Sequence, residues 1–208
     1  MTGEQRPEFG TLQYWANLLN SQPHAGFFAR DNQSKSLVEL GTGEAWSVSV
    51  FEEFGVQISA LAANSSDPPD LVATFDGADI SIELVELLTE SVRARSQKSI
   101  KNGQQPSILS GQNFEDSFWD QEKFEKKMHT VINKKEVKLS KHELCVDYLV
   151  VHSAELLLYP TDVQDWLRQF QGPDCEFIRN VHLLLDYKPG GADHWPVFDV
   201  PIRFKGAT

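Results

Sequence analysis

The sequence predicts a single α/β domain built on a mixed β-sheet. Three observations favour this fold class: a hairpin signal over Leu71–Leu87, a long amphipathic helix pattern over Asn113–Val137, and a continuous apolar run over Cys145–Ser153. Such an unbroken run is typical of a strand that is buried on both faces, as parallel strands in the centre of a sheet are. With 208 residues, 40% of them hydrophobic, the chain is long enough to bury one sizeable core.

The hairpin carries the first candidate site. An Asp-Gly pair separates two apolar, β-branched runs, which predicts strands over Leu71–Phe75 and Ile80–Leu87 joined by a turn at Asp76–Asp79. Asp70 directly precedes the first strand, and Glu83 lies in the middle of the second. A carboxylate within a strand is unfavourable unless something binds it. Two carboxylates on adjacent strands can hold one hard cation such as Mg²⁺ through oxygen.

The other elements are predicted from apolar periodicity and from turn residues. We expect the stretch Ser36–Phe54 to break at Gly41–Gly43 and to continue as a helix, with a strand as the open alternative. Capping boxes predict helix starts at Ser117 and at Thr161. The remaining expected elements are a short helix over Thr11–Leu19, a strand within Gly55–Ala63, a helix over Thr161–Phe170, a strand over Ile178–Tyr187 and an edge strand over Trp195–Phe204. Residues 1–43 are expected to form an extension that packs on a domain of residues 44–208.

The overall charge restricts the class of partner. The net charge of -11 counts against broad, non-specific nucleic-acid binding, because proteins of that class are usually basic. It does not exclude an enzyme that acts on nucleic acid, because the local charge of the contact surface decides such binding. The clearest basic stretch comprises Arg93, Arg95, Lys98 and Lys101, where a surface loop is expected. These side chains either contact phosphates or belong to a solvated linker.

Cysteine usage and hydropathy indicate the compartment. Cys145 and Cys175 are the two cysteines, and the N-terminus has no basic-then-apolar signal pattern. We therefore expect two free thiols in a cytoplasmic protein. No apolar run approaches the length of a membrane span, so no membrane partner is expected.

A family resemblance rests on the hairpin. Pro69-Asp70, a spacer of twelve residues and then Glu83-Leu84-Val85 resemble the core of the PD-(D/E)xK nuclease-like superfamily. The resemblance implies a three-layer, restriction-endonuclease-like fold, in which helices flank a mixed central sheet. It also implies Mg²⁺ or Mn²⁺ bound by Asp70, Glu83 and the backbone carbonyl of Leu84, and hydrolysis of phosphodiester bonds in DNA. Families of this kind often dimerise to cut both strands, so a homodimer is a possible assembly.

The sequence departs from this family at one position, because Val85 stands where the motif has a lysine. In the resembled fold a Lys or Gln on the neighbouring helix can replace that lysine. Lys135 is the first candidate and Gln121 the second, since both share the apolar side of the helix over Asn113–Val137. A lysine that only extends along the apolar stripe is the alternative for Lys135. The lysines at 123, 126, 138 and 141 alternate with glutamates, as on a solvated face.

Glu44 is the candidate for a further catalytic acid. In some members of the family the leading helix carries an acid that points to the metal, and Glu44 falls on the same helical stripe as Val48 and Phe51. The alternative is an acid in the first turn of a helix, where the helix dipole favours it.

Two other interpretations stay open. In the first, the chain is a non-catalytic descendant of the nuclease fold that binds a protein or a nucleic acid, with Glu83 and Lys135 as a buried ion pair and Asp70 as a turn residue. In the second, the chain is an unrelated α/β protein in which the motif match is chance. This second interpretation predicts that the Asp70 and Glu83 carboxylates lie too far apart to share one ion.

Overall fold

A computed structural model describes residues 32–88, 118–153, 155, 157–186 and 194–206. These residues form three helices, which are α1 (Asn32–Phe54), α2 (Gln121–Lys141) and α3 (Pro160–Leu167). They also form eight strands, which are β1 (Ile58–Ala63), β2 (Leu71–Phe75), β3 (Ala78–Glu86), β4 (Val146–Ser153), β5 (Asp174–Cys175), β6 (Ile178–Leu185), β7 (Val197–Asp199) and β8 (Arg203–Phe204). The helix expected over Thr11–Leu19 and the basic stretch from Arg93 to Lys101 lie outside the described residues.

The strands form a mixed central sheet, as the sequence predicts. Its order is β1-β2-β3-β4-β6-β7. The strands β3, β4 and β6 are parallel, whereas β1, β2 and β7 are each antiparallel to their neighbours. The apolar run over Cys145–Ser153 becomes the parallel strand β4 between β3 and β6, so its predicted central position is confirmed. A second, two-stranded sheet pairs β5 with β8.

Apolar side chains cover both faces of the central sheet. On one face α2 and α3 pack through Phe124, Met128, Ile132 and Val163 against Leu149 and other strand residues. On the opposite face α1 packs through Trp46 and Val50 against side chains of β2, β3, β4, β6 and β7. The arrangement is an α/β fold with helices on both sides of the sheet, which is compatible with the three layers that the sequence predicts.

The hairpin forms with a shorter turn than predicted. Residue Phe75 pairs with Ala78, so the turn contains only Asp76 and Gly77. Both have positive φ, 50° and 77°, as a two-residue hairpin turn of the primed type requires. Because side chains alternate along β3, Ile82 joins the core on the α1 side while Glu83 faces α2.

The structure corrects the prediction for α1. The helix continues through Gly41–Gly43. Glycine at position 43 allows the helix to lie close to the sheet, because a Cβ there would collide with Leu71. The buried face of the helix carries Trp46 and Val50, and Glu44 is exposed. The expectation that Glu44 lies on the buried face is therefore wrong. Its stripe, which also contains Val48 and Phe51, faces outwards.

The predicted helix starts also need correction. Asp120 is the N-cap of α2, and its side chain accepts a hydrogen bond from the Lys123 backbone N–H at 2.7 Å. The helix therefore begins later than predicted and extends to Lys141. The helix α3 begins at Pro160 without a side-chain cap, since proline already has the φ of a first helical residue.

Four smaller observations complete the fold. The stretch Trp195–Phe204 is divided between β7, at the edge of the main sheet, and β8. The expected domain boundary at residue 44 falls inside α1. Cys145 and Cys175 are both free thiols, as predicted. No helix in the described ranges has the length and apolar character that crossing a membrane requires.

A buried histidine fixes α1 to the sheet. The Trp46 indole N–H donates to His182 Nδ1 at 3.0 Å, and Tyr148 packs against both rings. Burial lowers the pKa of His182 from 6.5 to about 4, against a weaker opposing effect of Asp199. The neutral imidazole is therefore the form that the native state requires.

This histidine predicts a loss of stability in acid. Between pH 6.5 and pH 4 the unfolded chain binds more protons at His182 than the native chain, so the free energy of unfolding decreases as the pH falls. From the shift in pKa we expect a loss of about 3 kcal/mol across this window. Urea unfolding of the wild type and of His182→Gln at pH 7 and pH 4 measures it. Equal acid sensitivity of the two proteins would exclude His182 as the source.

Candidate metal centre

Three carboxylates meet beside the hairpin. Asp67 and Asp70 come from the loop before β2, and Glu83 comes from β3. One oxygen from each lies within 4.8 Å of the others, and all three groups could bind one ion. The proximity of Asp70 and Glu83 contradicts the distance expected for a chance motif match.

The loop before β2 is held in place by its own hydrogen bonds. The Asn64 side-chain amide donates to the carbonyls of Ser66 at 2.6 Å and Pro69 at 3.0 Å, and the Asn64 backbone N–H donates to Asp70 O at 2.9 Å. The two prolines between Asp67 and Asp70 fix φ and supply no donor. This short, closed loop positions both aspartates at the start of β2.

Asp70 is tied to the strand that carries Glu83. Its Oδ2 accepts a hydrogen bond from the Leu84 backbone N–H at 2.8 Å. Leu84 thus lies at the centre, while its predicted role as a carbonyl ligand stays a prediction. Burial, together with the charge of Glu83, raises the pKa of Asp70 from 3.8 to about 6, and the Leu84 bond and Lys135 oppose the rise less strongly. The ionised Asp70 carboxylate therefore destabilises the native state at neutral pH.

Glu83 is completely buried, and only one of its two carboxylate oxygens has hydrogen-bond partners in the described residues. Its Oε1 accepts hydrogen bonds from Lys135 Nζ at 2.6 Å and Lys138 Nζ at 3.2 Å. Its Oε2 is buried and has no hydrogen-bond partner among the described residues. An unpaired buried carboxylate oxygen is costly. This unpaired oxygen and the three carboxylates together fit a metal ion that prefers oxygen ligands.

Lys135, the first-choice lysine, contacts Glu83 at 2.6 Å, which both the catalytic and the buried-ion-pair interpretations expect, so its catalytic role stays a prediction. The other two candidates do not join this contact. Gln121 donates to Glu125 in the first turn of α2, and it lies about 21 Å from Lys135 along a helix that rises 1.5 Å per residue. Glu44 is exposed and is not one of the three clustered carboxylates.

Four functional candidates were missed by sequence reasoning. The sequence places Asp67 in a predicted loop and Lys138 on a predicted solvated face, and neither Lys35 nor Glu39 belongs to a predicted site. Lys35 Nζ lies 3.1 Å from Glu39 and 3.2 Å from Asp67, and it lies 3.9 Å from Asp70. Glu39, rather than Glu44, is the α1 acid whose charge contributes to the raised pKa of Asp70. The one sequence signal was the spacing of Lys138, three residues after Lys135 on the same helix.

The raised pKa of Asp70 predicts how metal binding depends on pH. Below pH 6 the carboxyl group is protonated, and a cation must displace that proton to bind. We expect the affinity for Mn²⁺ to fall about tenfold for each pH unit below 6, with release of about one proton per ion. Titration calorimetry between pH 5 and pH 7.5 measures the slope. A constant affinity between pH 5 and pH 6 would contradict an Asp70 ligand.

Comparisons of the chain with protein-family models, with curated proteins and with solved structures found no match. The resemblance of the hairpin to the PD-(D/E)xK superfamily therefore stays a prediction.

Proposed function

We propose that this protein is a metal-dependent nuclease that hydrolyses phosphodiester bonds in DNA. One observation carries the proposal: two buried carboxylates, one from the loop before β2 and one from β3, lie together beside a lysine from α2, and one buried oxygen of Glu83 has no partner in the described residues. Elements distant in sequence converge on this point, since Asp70 and Lys135 lie 65 residues apart in the chain.

The residues have distinct roles in such a reaction. Asp70, Glu83 and Asp67 would hold Mg²⁺ or Mn²⁺, with the carbonyl of Leu84 as an additional ligand. When bound, such a cation polarises a phosphoryl group and lowers the pKa of a coordinated water. Lys135 places a positive charge beside Glu83, where it would stabilise negative charge that develops on a phosphoryl oxygen. Leu84 keeps Asp70 oriented through its backbone N–H.

The decisive experiment measures binding and cleavage on the same samples. Calorimetry with Mn²⁺ and Mg²⁺ compares the wild type with Glu83→Gln, and plasmid nicking is then followed with and without EDTA. We expect binding and nicking in the wild type and neither in the variant. Wild-type protein that binds no cation and cuts no plasmid would exclude the proposed function.

A non-catalytic binding module is the second candidate. It is supported by the lysines themselves, because Lys135 and Lys138 already neutralise Glu83 without any cation. Such a protein would bind a protein or nucleic acid partner, and the buried pair would serve stability alone. Folded wild-type protein without cation affinity would favour this candidate.

A further inference from the structure

Asp67 lies between two lysines that come from different helices. Its Oδ2 accepts a hydrogen bond from Lys35 Nζ of α1 at 3.2 Å, and its Oδ1 accepts one from Lys138 Nζ of α2 at 3.1 Å. The side chains of Asp67, Lys35 and Lys138 are 49%, 48% and 40% exposed. Each carboxylate oxygen thus faces one solvent-accessible ammonium group, an arrangement that two oxygens of a phosphate group could equally adopt.

Asp67 differs from the other two carboxylates of the centre. Asp70 and Glu83 are both buried; Asp70 accepts a hydrogen bond from β3, and Glu83 is a residue of β3. In the described residues, the Asp67 side chain is instead held by the two lysines. Although partial burial opposes the effect, the hydrogen bonds from Lys138 and Lys35 hold the pKa of Asp67 below its ordinary range. Asp67 is therefore an anion at neutral pH, and its carboxylate forms a hydrogen bond with each of the two lysines.

The charge balance favours a second anion once a cation is bound. Asp67, Asp70, Glu83 and Glu39 carry four negative charges, and Lys35, Lys135 and Lys138 carry three positive charges, so the net charge of the cluster is −1. A divalent cation would change it to +1. A phosphodiester group, which carries one negative charge, would then neutralise the cluster, and its two free oxygens can accept hydrogen bonds from the two lysines as the Asp67 oxygens do.

We propose that Lys35 and Lys138 form a binding site for a phosphate group of a nucleic-acid backbone, and that Asp67 occupies this site in the free protein. The proposal deepens the proposed nuclease function and rests on it for its biological meaning. A backbone phosphate displaces the Asp67 carboxylate from both lysines and so comes to lie beside Asp70 and Glu83. Asp67 thereby lowers the affinity of the free protein for nucleic acid.

The test uses the whole 208-residue chain in EDTA, so that no cation contributes. Fluorescence anisotropy with a labelled DNA duplex compares the wild type with Asp67→Asn, which keeps the side-chain size and removes its charge. Because the substitution removes the ion pairs of Asp67 with Lys35 and Lys138, we expect Asp67→Asn to bind the duplex about three- to tenfold more tightly than the wild type. Asp79→Asn is the control, because it changes the net charge by the same amount at an exposed position in the hairpin. It should leave the affinity for the duplex within about twofold of wild type, because a surface charge outside the site acts only through the screened long-range field.

A second substitution tests the lysines. Adding Lys138→Met to Asp67→Asn should return the affinity to the wild-type level or below. Equal affinities of Asp67→Asn and Asp79→Asn would overturn the proposal, and so would tighter binding that survives the loss of Lys138. A gain in affinity for inorganic phosphate without a gain for the duplex would also overturn the assignment to a backbone phosphate. Because every measurement is made without a cation, failure here is separate from failure of metal binding or cleavage.

Discussion

Replacing Asp70 with asparagine is expected to stabilise the metal-free protein at pH 7 and to abolish cation binding at the same time. The raised pKa of Asp70 means that its charged form is disfavoured by burial and by Glu83. Between the unfolded value of 3.8 and the folded value of about 6, the native state binds the additional proton, so stability decreases as the pH rises through this window. The full cost above pH 6 is about 3 kcal/mol.

Asparagine removes this cost and keeps the local geometry. Its side-chain oxygen can still accept the hydrogen bond from the Leu84 N–H, so Asp70→Asn should unfold at a higher temperature. For a gain of about 2 kcal/mol in a chain of this length, the increase in Tm is about 4–8 °C. Thermal unfolding in EDTA at pH 7 measures the gain, and calorimetry with Mn²⁺ measures the accompanying loss of binding.

The pH dependence provides the control. At pH 4 the wild-type Asp70 carboxyl is protonated and resembles the amide, so the stability difference between the two proteins should almost disappear. Asp79→Asn, at an exposed position in the hairpin, should change Tm little at either pH. A variant that is less stable than wild type at pH 7 would show that the Asp70 charge is a structural necessity. That result would favour the buried-ion-pair interpretation over a ligand-binding centre.

The sequence predicted those features that depend on local chemistry. The Asp-Gly turn, the alternation along β3 and the continuous apolar run of β4 identify their strands because each pattern reflects neighbours along the chain. Lys135 could be found because a helix periodicity links it to Met128 and Val131 on the apolar side of α2. The prediction that it reaches Glu83 followed from the resemblance.

The features that were missed depend on tertiary packing. The buried face of α1 carries Trp46 and Val50, and Gly43 on this helix allows a close approach to Leu71, whereas apolar spacing alone selects the opposite stripe. Lys35 and Lys138 look solvated because the partner that they share, Asp67, lies 32 residues from the first and 71 residues from the second. A pattern of neighbouring residues cannot reveal contacts between residues so far apart in the sequence. The sequence therefore predicts the two buried acids of the centre, because they belong to the hairpin pattern. The positions of its exposed charged residues depend on the tertiary fold and cannot be predicted from local patterns.

The second large effect is expected for Lys135. Its ammonium group lies 2.6 Å from Glu83 Oε1, and the Glu83 side chain is 0% exposed. Removing one partner of a buried ion pair costs about 3–5 kcal/mol, because the remaining charge is uncompensated. Lys138 also reaches this oxygen, at 3.2 Å, so we expect a loss of about 3 kcal/mol for Lys135→Met. Urea unfolding at pH 7 measures it.

The double variant separates folding from chemistry. Glu83→Gln combined with Lys135→Met leaves no buried charge in the pair and should recover most of the lost stability, which gives a large coupling energy in the double-mutant cycle. Lys134→Met is the matched control, since Lys134 is exposed on the same helix and should change stability by less than about 0.5 kcal/mol. Under the proposed function the double variant folds but no longer nicks plasmid, because the metal ligand and the lysine are both absent. Additive stability effects would show that Lys135 and Glu83 are not coupled, and nicking by the stable double variant would place the reaction elsewhere in the protein.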